Sequence, residues 1–200
     1  MGPRSAVHVA PTQPIGIPKR GQVPLQRRAP SPYGYGMTET PGGDWVEQLM
    51  RSFRDKLVGG MYEGIYQLEG APLRRVMDAQ AKACVQAFVS LTEIPAELDF
   101  DGFLDRMKIS GPSKVELERI SDDELLWREL HRGECVCPHV RQQVIPLDPK
   151  LCICGATWVR LLVERHARRV ATVTLVESVA TGAENCVYRV TLGEPLPPPA

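Results

Sequence analysis

The sequence predicts an α+β domain: helices first, then an antiparallel sheet, with one further helix inserted before the last β-hairpin. Three observations predict it. Apolar residues recur at helical spacing through the stretch from Trp45 to Met107. The period drops to two at Lys114-Val115-Glu116-Leu117-Glu118. Two β-branched, apolar runs then flank a turn at Thr181–Asn185.

In chain order, structure begins at Asp44, a residue suited to cap a helix. Trp45, Leu49, Phe53 and Leu57 mark one helical face, and Gly59-Gly60 reads as its end. Gly70-Ala71-Pro72 opens a second helix whose stripe is Leu73, Met77, Cys84, Phe88 and Leu91. Cys84 is thus expected to be a small core residue. A short helix covers 99–107, before Gly111-Pro112. The strand at 114–118 turns at Ser121-Asp122-Asp123 and returns as Glu124–Leu130. Ala156–His166 is the inserted helix. Val170–Val176 and Cys186–Leu192 are the last two strands. His166, close to that helix's C-terminus, is expected to supply favourable positive charge there.

The composition is that of an ordinary globular chain, but it is uneven. The 200 residues carry 24 basic and 24 acidic side chains. Residues 1–43 hold 8 of the 18 prolines, with five basic residues (Arg4, Lys19, Arg20, Arg27, Arg28) against one acid, Glu39. That segment is +4 and the remainder −4, so neutrality is a cancellation. The segment cannot bury a core and reads as a disordered extension. Residues 44–192 read as a single domain, and 193–200 as a proline-rich tail. Bulk charge does not predict nucleic-acid binding. No apolar run is long enough to span a membrane, and no secretory signal is present, which places the chain in the cytoplasm. The main nucleotide-binding and hydrolase signatures are absent.

Four of the six cysteines form two C-x-C pairs, Cys135/Cys137 and Cys152/Cys154, with His139 just after the first. In extended chain, residues i and i+2 face the same side, so each pair can aim two thiols at one point. Four thiolates suit zinc, and His139 can replace one of them. The same thiols also suit an iron–sulfur cluster, Cu(I), disulfides or a redox pair, or they are simply packed. His131, four residues before Cys135, is a candidate extra ligand. Trp158, one turn after Cys154, either lines an aromatic pocket or joins the core.

Leu151–Val159, Val173–Ser178 and Gly182 with Cys186-Val187-Tyr188-Arg189-Val190 together resemble the V4R (4-vinyl reductase) small-molecule-binding family. The shared pattern is a cysteine leading into a helix, a strand ending near an acid, then G-x-x-x-C-x-[FY]. The resemblance covers roughly residues 130–192. It implies the fold of Bet3-type trafficking subunits and a bacterial domain that senses small apolar or aromatic ligands. Aromatic sensors of the family hold zinc through cysteines and an acid. Cys154 and Cys186 take matching positions. Ser178 stands where the sensors carry a cysteine, and Leu175 stands where they carry the acid, with Glu177 two residues on. The sensor-type site is therefore incomplete.

The expected function is ligand binding or sensing, with zinc at Cys135, Cys137, Cys152 and Cys154 and a ligand near Trp158 and Cys186. A homodimer is compatible with it. The alternative is a metal- or cysteine-dependent enzyme, hydrolase-like or associated with a reductase.

Overall fold

A computed structural model describes residues 44–95, 97–110 and 114–197. The 1–43 extension, the break at Gly111-Pro112 and the last three residues of the tail lie outside the described residues. Three helices come first: α1 (Asp44–Ile65), α2 (Gly70–Thr92) and α3 (Phe100–Ser110). A hairpin of β1 (Lys114–Ser121) and β2 (Glu124–Leu130) follows. The short α4 (Pro138–Arg141) and the long α5 (Cys152–Ala167) come next, then β3 (Arg169–Glu177) and β4 (Cys186–Pro195). The four strands form one antiparallel sheet in the order β1-β2-β4-β3. This is the α+β layout expected. Among the described residues, no helix is long and apolar enough to cross a membrane.

Several boundaries differ from expectation: α3 runs on to Ser110 and β1 to Ser121, and three further differences shape the site. α1 runs through Gly59-Gly60 to Ile65. Gly59 comes so close to the Val144 carbonyl that a Cβ there would sit 3.1 Å from its oxygen. The glycine allows close approach rather than ending the helix. β4 continues past Leu192 to Pro195 and pairs Arg169 with Pro195. α5 starts at Cys152, four residues before Ala156. The chain enters it through a 3₁₀ turn at Pro149–Leu151, where Asp148 accepts from the Lys150 N–H at 2.8 Å.

The core has two parts. One lies between the sheet, α3 and α5, around Phe103, Met107, Trp127, Leu162, Val163 and Val190. The other joins the end of α1 to α2 and the α4 loop, around Tyr62, Leu73, Met77, Ala81, Ile145 and Leu151. Trp158 and Leu161 pack against both. On α2 the buried line is Leu73, Met77, Ala81 and Val85, whereas Leu91 is 84% exposed. The buried line keeps Leu73 and Met77 of the expected stripe and then follows Ala81 and Val85 in place of Cys84 and Leu91. Cys84 is consequently half-buried, not enclosed.

His166 corrects another expectation. It is buried, and its ring stacks on Phe103 at 4.2 Å with the planes 5° apart. Its Nδ1–H donates to the Leu98 carbonyl at 3.1 Å. Burial holds its pKa below the ordinary value, so it is a neutral core residue and not a charge at a helix end. The unfolded chain therefore binds the His166 proton more readily than the folded one. Stability from this group is complete above about pH 6.5, the unfolded value, and is lost as pH falls below it. Urea titrations should show wild type losing more stability than His166→Phe between pH 7 and pH 5. Equal losses refute this account.

Candidate functional site: a buried polar and thiol cluster

Strand alternation puts Leu125, Trp127 and Glu129 on the buried face of β2, and His131 continues the line just beyond the strand. Glu129 lies opposite Cys186 of β4. A carboxylate in this position needs partners. It has two: the Trp127 indole N–H donates to Oε1 at 3.3 Å, and His131 Nε2 lies 2.9 Å from Oε2. The His131 backbone N–H donates to Asn185 Oδ1 at 3.0 Å, which fixes the residue over the β4 entrance. Burial alone lowers the His131 pKa, but Cys186 and the Glu129 carboxylate beside the ring overcome it and raise it to about 9. The other ring nitrogen, Nδ1, is buried with no hydrogen-bond partner.

A turn with Arg132 and Gly133 at positive φ leads from His131 to the first cysteine pair. Cys137 caps α4 ahead of Pro138. Burial raises the Cys137 thiol, against backbone N–H groups of Val140 and His139 that would lower it. Burial likewise pushes Cys135 up to about 11, with charge on Cys137, Cys186 and Cys152 adding to the effect. The side chain of His139 lies beside the Tyr62 ring, 6.4 Å between centroids.

The second pair departs from expectation for a clear reason. Cys152 and Cys154 occupy the first turn of a helix, where residues two apart point about 200° from each other. The Cys152 thiol lies 3.0 Å from Ser178 Oγ, and burial raises its pKa. Cys154 turns to the other side, against Cys84 of α2. Their hydrogen bond holds Cys84 down to about 7 and pushes Cys154 up. The four paired cysteines therefore do not aim at one point. Among the described residues, no three His, Cys, Asp or Glu side chains are already arranged to hold a metal ion.

What the fold does is gather all six cysteines round the start of α5. Cys135, Cys152 and Cys186 lie towards β4, and Cys84, Cys137 and Cys154 lie towards α2 and Tyr62. Gly155 permits this: a Cβ there would stand 2.6 Å from the Tyr188 hydroxyl, so only glycine lets α5 sit this close to β4. Burial keeps that tyrosine protonated. Trp158 is held edge-on between Phe88 at 5.1 Å and Trp127 at 6.4 Å. Its indole is part of the packing between α2, α5 and the sheet. Neither Glu129 nor the Cys84 partnership was expected from sequence. The Glu129-x-His131 spacing was the available signal, since two polar residues two apart share one strand face.

Chemically, the β4 side offers three thiols and one imidazole nitrogen, a donor set that favours soft cations. The α2 side offers a thiol–thiol pair able to form a disulfide.

No family model matches the chain, and no curated protein matches it. Among solved structures it is similar to the crystal structure of a trafficking protein particle complex subunit 3 from Naegleria fowleri, covalently bound to palmitic acid. The two share 12% identity and a TM-score of 0.45 over 73% of this chain and 99% of that one.

Proposed function

We propose that this chain is a binding module whose buried cluster takes one soft metal ion, zinc by preference, at His131, Cys135, Cys152 and Cys186. One observation carries the reading. His131 places one ring nitrogen on the Glu129 carboxylate and leaves the other buried and unpartnered. A metal-binding histidine usually shows this pattern, with a carboxylate orienting the ring from behind. The thiols lie close by, and burial holds Cys135 and Cys152 protonated, so loading would release protons.

The metal would supply folding energy by tying the segment before α4 to α5 and β4. Cys152 would leave Ser178 and Cys135 would turn towards Cys186. Cys137 and Cys154, expected as ligands, stay with Cys84 in this reading.

The test is the zinc content of purified full-length protein by elemental mass spectrometry. We expect one ion per chain, lost in Cys186→Ser and Cys135→Ser and retained in Cys84→Ser. Metal retained in Cys186→Ser, or lost only in Cys137→Ser and Cys154→Ser, overturns this ligand set. A metal-free protein recovered with a Cys84–Cys154 disulfide favours a second reading. The lowered Cys84 thiol, hydrogen-bonded to Cys154, would then be a redox pair.

A further inference from the structure

α1 is turned inside out. Its polar residues Gln48, Arg51, Asp55 and Lys56, with Gly59 and Glu63, line an open cleft of about 610 Å³ whose other wall is Gln143 and Val144. Only its last turns enter the core, through Val58, Tyr62 and Ile65. Its apolar residues face the opposite way. Trp45, Val46, Leu49 and Met50 are exposed, as are Leu57 and Met61, and Phe53 at the centre of the stripe is 69% exposed. Side chains of this size left about half open present on the order of 800 Å² of apolar surface. A typical monomer shows a largest apolar patch of only about 300–600 Å². An amphipathic helix draws most of its stability from burying that stripe, and this one buries almost none of it against its own body.

From these observations we infer that the outward face of α1 pairs with the same face of a second copy of this chain, the two helices running antiparallel. The exposed area matches the roughly 800 Å² that each partner contributes to a standard interface. The stripe is also self-complementary. A two-fold axis passing between Arg51 and Ser52 sets Val46 opposite the second copy's Leu57, and Met50 opposite its Phe53. Acidic Glu47 then comes beside the second copy's basic Arg54, and the contact repeats by symmetry. A lipid surface fits less well. Membrane-surface helices carry an excess of Lys and Arg, whereas α1 has Asp44, Glu47, Asp55 and Glu63 against Arg51, Arg54 and Lys56.

Sedimentation of the full-length chain at tens of micromolar tests this. The wild type should have the mass of two chains, each 22.2 kDa. Phe53→Glu should have the mass of one, with unchanged far-ultraviolet circular dichroism because Phe53 touches little of its own body. Should that variant misfold, Met50→Glu repeats the test on the same face. Gln48→Glu, on the cleft side, should leave the dimer intact. A wild type that sediments as one chain overturns the inference, whether the face is then covered by residues 1–43 or found bound to lipid vesicles. A dimer that persists in both Phe53→Glu and Met50→Glu overturns it equally. Metal content does not enter these readouts, so they stand or fall apart from the zinc assignment.

Discussion

Trp127→Ala should destabilise the protein by about 3–5 kcal/mol, the usual cost of removing a large aromatic from a core. Trp127 is fully buried, the largest side chain so placed. Its ring meets Phe103 at 6.3 Å and Trp158 at 6.4 Å, so the truncation opens a cavity where α3, α5 and the sheet join. The loss is more than volume, because the indole N–H is also one of two donors to the buried Glu129 carboxylate. Trp127→Phe should recover most of the packing and leave the hydrogen-bond deficit, a loss of about 1–2 kcal/mol. Urea unfolding measures both. A Trp127→Ala midpoint within about 0.5 M of wild type would sink the prediction, since at about 2 kcal/mol/M that is only 1 kcal/mol.

The second large effect belongs to Glu129. Removing one partner of a buried ion pair typically costs about 3–5 kcal/mol, because the other charge is left without compensation. Glu129→Ala does this to His131, whose side chain is 1% exposed. The effect has a pH signature in chelator-treated protein. The folded His131 pKa is raised to about 9 over an unfolded value near 6.5. The pair's contribution is therefore complete below about pH 6.5 and is lost as pH rises through about 9. Wild type should lose stability over that range, and Glu129→Gln should lose less of it, because only Cys186 then holds the His131 pKa up. Parallel curves for the two proteins would contradict the ion pair. On the zinc reading the same substitution should also weaken metal affinity by about 10–100-fold, since the carboxylate orients the ligating ring.

These two residues show what could be read from the chain alone. The fold class, the β2 boundaries and the α-before-β order follow from periodicity, because burial on one face imposes it. Alternation along β2 also carries Trp127, Glu129 and His131 as one line. The identity of that line was hidden, because period two says which residues share a face but not that a carboxylate will be buried on it. The Cys152–Cys154 segment failed differently. Cys-Ile-Cys-Gly has no strong preference for helix or strand, so spacing allowed the thiols to point together. Asp148-Pro149, a cap residue with proline after it, was the cue that a helix was about to begin. The orientation of α1 was not legible at all. Its stripe was clear, but a stripe records that a face is apolar, not whether its own domain or another surface covers it.

The strand order has a consequence for how this domain comes together. β4 is the last strand of the described chain, yet it occupies the interior of the sheet, between β2 and β3. β2, at residues 124–130, must wait for residues 186–195 before its second edge is paired. Closing a loop of some 60 residues is slow compared with forming helices or the β1–β2 hairpin. Until it closes, the apolar line of β2 and an open strand edge face solvent together, a state prone to pairing with other chains. Losing the final strand would not trim a margin of the sheet; it would divide it down the middle.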